Sequence, residues 1–120
     1  MKTTIRCNAP GNTQITRDQH GVPNIEVSGP NAMEDLHWSM GYCQAMDRGL
    51  QMLLMRILVQ GRASECLDAS DEILDVDKFF RKMNWTGEVS NEVEQLDAET
   101  LKLCQRFCDG INDRFKEKYP

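Results

Sequence analysis

"GYCQAMDRGLQMLLMRILVQGRASECLD", Gly41 to Asp68, is the stretch whose reading decides the architecture. It is the middle of a helical run expected from Asn31 to Gln60. Leu36, Met40, Cys43, Asp47, Leu50, Leu54 and Ile57 recur at alternating spacings of four and three, which places them on one helical stripe. Met46, Leu53 and Leu58 widen that stripe, and Met52 and Met55 fall on its flanks. A helix apolar around so much of its circumference is expected to be buried. Gly41 costs about 1 kcal/mol against alanine in such a helix, so either the helix bends there or another backbone approaches closely. Gly61 is placed to end the helix, with one short further helical turn over Arg62–Asp68.

One acid, Asp47, interrupts the stripe. An isolated carboxylate in an apolar seam is expensive, so it is expected to be buried and paired. Candidate partners are Arg48 beside it, Arg56, Arg62 beyond Gly61, and Arg17 from upstream. With Asp18 and Glu65, these residues are expected to form a structural polar network tying the hairpin to the helices. Removing Asp47 from a buried network of that kind is expected to cost about 3–5 kcal/mol.

Upstream, Thr3–Cys7 and Thr13–Arg17 are β-branched segments separated by the turn signal Pro10-Gly11. A second turn, "DQHG" at Asp18–Gly21, precedes "VPNIEV". Gln14–Asp18 and Pro23–Val27 therefore read as a hairpin, with Thr3–Cys7 as a third strand. Asn31 and Glu34 have the spacing of a capping box at the start of the long helix. Downstream, Asp71–Trp85 is a helical candidate with acids at its start and Arg81 and Lys82 at its end, as the helix dipole favours. Asp97 can cap a last helix, reaching about Tyr119, whose seam is Leu101, Cys104, Cys108, Ile111 and Phe115. The organisation is a single partial domain over residues 1–120: hairpin region 1–28, long helix plus short turn 31–68, further helices 71–119. The fold class is α+β, mainly α, a hairpin followed by packed helices.

The totals narrow the function. Fourteen basic side chains against 19 acidic ones give a net charge of −5, which disfavours a nucleic-acid partner because phosphate binding depends on Lys and Arg. No apolar run reaches the roughly 20 residues of a membrane-spanning helix, so no membrane partner is expected. The opening "MKTTIRCNAPGN" lacks the apolar core of a signal peptide, which predicts a cytoplasmic location as encoded. The 5 cysteines are an odd number without a Cys-x-x-Cys pair, so neither a disulfide framework nor a zinc site is expected. Cys43 and Cys66 read as small buried hydrophobes and Cys104 with Cys108 as packing residues. Asp68, Asp71, Glu72, Asp75 and Asp77 lack a calcium-loop pattern and read as a solvated acidic face.

No reaction centre is legible in the residues alone. His20 lies in a turn and His37 on a helix flank beside Trp38. There is no Gly-x-Ser-x-Gly elbow, phosphate loop or dinucleotide fingerprint.

The motifs taken together resemble the start of the small subunit of the penicillin acylase (penicillin amidase) family. That pattern falls on Arg17-Asp18, Gly21-Val22-Pro23-Asn24-Ile25, Gly41-Tyr42, Ala45-Met46-Asp47-Arg48, Gln51-Met52, Arg56, Gly61 and Glu65. "FCDGINDRF", Phe107–Phe115, is similar to that family's helix ending in Gly-x-Asn. Asn24 stands where the family usually has His. The resemblance implies part of an αββα N-terminal-nucleophile hydrolase fold. It implies hydrolysis of carbon–nitrogen bonds in linear amides, of the penicillin type or other N-acyl substrates. It also implies a large-subunit partner whose N-terminal Ser attacks the carbonyl with its own α-amino group as base. On that reading this chain carries no catalytic residue and no cofactor, calcium belongs to the complete enzyme, and family members are often periplasmic or secreted. The alternative is a non-enzymatic helical interaction module that kept the scaffold.

Overall fold

The computed structural model describes residues 1–120. Three strands, β1 (Thr3–Thr4), β2 (Asn12–Arg17) and β3 (Pro23–Ser28), precede five helices: α1 (Ala32–Val59), α2 (Ala63–Cys66), α3 (Asp71–Met83), α4 (Val89–Glu94) and α5 (Ala98–Lys118). The chain divides into two compact units, Met1–Asp47 with Asp97–Pro120, and Arg48–Leu96.

In the first unit the strands form an antiparallel sheet in the order β1-β2-β3. Ile15 opposes Ile25 and Arg17 opposes Pro23. That register sends Ile25 and Val27 to one face while Asn24, Glu26 and Ser28 face outward, as the two-residue period of a half-buried strand requires. Asp18 shapes the hairpin turn: its Oδ1 accepts the N–H groups of His20 at 2.8 Å and Val22 at 3.0 Å. An aspartate suits the position because a short carboxylate can bond its own downstream backbone. The core gathers Ile15, Trp38, Tyr42 and Cys43, with Ile5, Cys7, Ala9, Ile25 and Met46 against it.

The buried face of α1 in this unit is Asp35, Trp38, Ser39, Gly41, Tyr42, Cys43 and Ala45. It is displaced by about one residue, roughly 100° of helical rotation, from the expected seam, of which Met40 is exposed. The displacement has a steric cause. A Cβ on Gly41 would overlap the Phe107 carbonyl, and one on Gly110 would overlap the Trp38 carbonyl. Small residues let α1 and α5 approach backbone to backbone, so contact volume decides the face more than hydrophobicity does. Gly41 therefore marks a close approach; the departure from helical geometry comes at Arg48 (φ −131°, ψ 20°). The seam expected on α5 moves for the same reason: Leu101, Cys104 and Cys108 are exposed, while Gly110 is buried.

Two termini behave differently. Asp97 caps α5 as expected, its carboxylate accepting the Thr100 N–H at 2.8 Å and the Thr100 hydroxyl at 2.7 Å. At the start of α1, Glu34 does not reach back to Asn31. Its carboxylate meets Lys102 Nζ at 2.6 Å, and the Asn31 carbonyl instead accepts the Asp35 N–H at 2.9 Å.

In the second unit the end of α1 leads through Gly61 to α2, α3 and α4. Gly61 sits at φ +64°, a left-handed conformation that glycine adopts without a Cβ penalty. Asp77 on α3 accepts the N–H of Ala63 and of Ser64, each at 2.8 Å, and Arg81 Nε donates to the Gly61 carbonyl at 2.9 Å. These bonds fasten the α1–α2 turn to α3. Asp77 is buried, which corrects its place in a solvated acidic face. Asn84 takes the left-handed conformation at φ 54°, so α3 stops at Met83 and not at Trp85. The six-residue α4 was not anticipated from the sequence. Cys66, expected to be buried, is exposed.

Candidate functional site

The polar residues singled out in the sequence resolve into two ion pairs and a turn. Arg17, at the end of β2, makes a fork to Asp47: Nη2 donates to Oδ1 at 2.6 Å and Nη1 to Oδ2 at 3.1 Å. Nη1 also donates to the Gly21 carbonyl at 2.6 Å. One guanidinium thus holds both the hairpin turn and Asp47 on α1, a geometry that a planar cation with fixed donors supplies and a lysine does not. In the second unit Arg62 donates through Nε and Nη2 to the two Glu65 oxygens at 3.0 and 2.8 Å. Asp18 is the turn residue already described. Arg48 and Arg56 are exposed, Arg48 at the break in α1 and Arg56 in its last turn.

The expected burial of Asp47 does not hold, because its side chain is 39% exposed. The acid lies beside the packing face, so it interrupts a stripe that is itself only partly covered. A half-exposed bidentate pair contributes far less than a buried one. Asp47→Ala is accordingly expected to cost about 1 kcal/mol in urea unfolding. A loss of about 3–5 kcal/mol would show a desolvated carboxylate instead.

A second polar constellation joins α1 to α5 and was missed in the sequence. Trp38 Nε1 donates to Asp113 Oδ2 at 2.9 Å, and Tyr42 Oη donates to Glu117 Oε2 at 2.6 Å. The two rings stack with centroids 5.0 Å apart, and the Arg114 guanidinium lies over Tyr42 at 5.9 Å. The signal was present as matching spacings: Trp38 and Tyr42 are one helical turn apart, as are Asp113 and Glu117.

Burial first, then the hydrogen bond to Glu117 and its charge, push the Tyr42 phenol from 10.0 up to about 12. A raised phenol favours the folded state below its unfolded value, and that contribution is lost as pH climbs from about 10 towards 12. Folded protein is expected to show the Tyr42 phenolate absorbance, identified by its loss in Tyr42→Phe, with a midpoint near 12. A midpoint at the ordinary 10.0 would remove the buried hydrogen bond from the account.

The groups around the core favour their uncharged forms. Burial raises the Cys43 thiol to about 11 despite the opposing Arg17 charge, and burial likewise raises Cys7. A thiol so protonated is a poor nucleophile at neutral pH. Burial alone would raise Asp77, but the hydrogen bonds from Ser64 and Ala63 and the Arg81 charge hold it below the usual aspartate range. His20 meets Gln19 in the turn at 3.1 Å, and His37 Nδ1 lies 2.7 Å from the Met33 carbonyl. No group of three His, Cys, Asp or Glu side chains converges as a metal centre would require. No helix is long and apolar enough to cross a membrane. What these side chains do chemically is fix elements against one another.

The sequence pattern of the family described as penicillin amidase matches residues 12–120. The acyl-homoserine lactone acylase QuiP of Pseudomonas putida is 31% identical over 112 residues, 91% of this chain and 13% of that protein. Penicillin G acylase of Escherichia coli is 30% identical over 99 residues, 82% of this chain and 11% of that protein. The chain thus spans only a small part of the curated relatives it matches. Among solved structures, thermostable penicillin G acylase from Alcaligenes faecalis matches with a TM-score of 0.75 at 21% identity, over 88% of this chain and 54% of that one. That likeness concerns the fold.

Proposed function

The chain belongs to the penicillin amidase family, and from that premise we propose that it serves as the amino-terminal part of the small subunit of an amidohydrolase. The observation that carries this reading is the match of residues 12–120 to the family, in a chain with the fold of a penicillin G acylase. The assembled enzyme hydrolyses the carbon–nitrogen bond of a linear N-acyl amide, of the kind the relatives' names indicate. The nucleophile is the N-terminal Ser of a large subunit, and the acyl group passes through a covalent intermediate. The role of this chain is positional: Arg17 with Asp47, the α1–α5 contact and the Asp77 clamp hold a scaffold against which the catalytic polypeptide is ordered. Calcium, where the complete enzyme uses it, is held by residues outside this set.

Exposed apolar side chains support the reading. Phe79, 52% exposed, and Trp85, 57% exposed, meet edge to face, and a contiguous apolar surface is what a polypeptide partner covers.

The test is purification of the tagged protein from the cells that encode it, with mass-spectrometric identification of acylase-family sequence outside residues 1–120, whether linked or associated. We expect that sequence in about equimolar amount, and amide hydrolysis by the assembly. Isolation without acylase-family sequence and without hydrolysis would favour the stand-alone interaction module.

A further inference from the structure

We propose that the carboxy-terminal half of α3 is an anchoring surface, and that its occupant is an apolar, acid-rimmed segment of the acylase polypeptide outside residues 1–120. This rests on the reading of the chain as part of a penicillin-amidase-family hydrolase and names the surface through which that assembly is made.

The sequence "KFFRKMNW", Lys78–Trp85, carries the cations Lys78, Arg81 and Lys82 and no acid, in a chain whose net charge is −5. Its aromatic rings are already organised. Phe79 and Phe80 meet edge to face at 5.3 Å between centroids, Phe79 and Trp85 at 6.2 Å, and Phe80 and Trp85 at 5.7 Å. Nevertheless Phe79 is 52% exposed, Met83 45% and Trp85 57%. A trio that is mutually packed but open to water loses little side-chain freedom on binding and gains by desolvation. Trp and Arg, both present in this stretch, are among the residues that carry most protein–protein binding energy.

Two observations specify the occupant. The basic rim selects an acidic one, since complementary charge sets register and suppresses wrong partners. The relatives, of which this chain spans 13% and 11%, supply the polypeptide that shares the scaffold. Arg81 donates to the Gly61 carbonyl and Lys78 pairs with Asp75, which leaves Lys82 as the cation engaged in neither a side-chain hydrogen bond nor an ion pair.

The experiment places the photo-crosslinker p-benzoylphenylalanine at position 79, and separately at position 50, in the protein expressed in the cells that encode it. Adducts are sequenced by mass spectrometry. Position 79 is expected to give adducts with acylase-family residues outside 1–120, and Lys82→Glu to reduce their yield roughly fivefold through the lost rim charge. Adducts with those residues from position 50 but not from position 79 would overturn this surface while leaving the functional reading intact. Absence from both positions would overturn both. Adducts at position 79 with a second copy of the chain or with unrelated protein would overturn the occupant, and an unchanged yield in Lys82→Glu would overturn its acidic rim.

Discussion

Replacing Gly110 by valine is expected to destabilise the protein by about 3 kcal/mol, with alanine costing about 1–2 kcal/mol. The added Cβ would overlap the Trp38 carbonyl oxygen and stand 2.8 Å from its carbon and 2.9 Å from the Tyr42 nitrogen. Neither helix backbone can yield as a flexible side chain would, so relief requires α5 to move away from α1. That movement lengthens the Trp38–Asp113 and Tyr42–Glu117 hydrogen bonds, which depend on the same separation. Urea unfolding gives the difference, and a Gly110→Val protein within about 0.5 kcal/mol of the parent would rule out the backbone contact.

Gly61→Ala is the second large effect, an expected loss of about 2–3 kcal/mol, made up of a left-handed backbone penalty and local overpacking. Gly61 holds φ at +64°, and a Cβ there would lie 2.5 Å from Arg81 Cγ and 3.0 Å from the Asp77 carbonyl oxygen. The arginine stem can shift, but doing so disturbs its bond to the Gly61 carbonyl. The turn held by Asp77 then opens, and hydrogen exchange at the Ala63 and Ser64 amides reports it. Unchanged protection and an unchanged unfolding midpoint would show that the turn tolerates a side chain.

These glycines also show how much of the fold was legible in the sequence. Elements with a strong local signal were read correctly in kind: the hairpin around Asp18, the long helix through Met46, and the helix capped by Asp97. Their facing was not. A hydrophobic count gives weight to Leu50 and Met40, whereas the α1–α5 contact is selected by what is small, at Gly41 and Gly110. That choice depends on a partner helix about 70 residues away in the chain, which periodicity within one helix does not contain. The same omission misplaced Asp47, whose stripe was taken for the covered one.

The polar residues divide similarly. Arg17 was one of several candidate partners named for Asp47 and meets it in the structure, and Arg62 with Glu65 stood at helical spacing. Asp77 was hidden among neighbouring acids, although Ile73, Val76 and Phe80 put it on the apolar face of its own helix. Its physical role follows from the amides it faces, and those belong to a turn 13 and 14 residues upstream. The family motifs carried the functional reading further than composition could, because ion pairs and helix contacts report how elements are held and not which reaction follows.

On the function proposed above, this chain helps to organise an amide-hydrolysing enzyme whose reacting groups come from sequence outside residues 1–120. The most direct measurement is amine release from penicillin G and from an N-acyl-homoserine lactone, by residues 1–120 alone and by the assembly purified with acylase-family sequence. Turnover is expected from the assembly on at least one of these amides and none above buffer from residues 1–120. Turnover by residues 1–120 alone, surviving removal of every other polypeptide, would contradict the account.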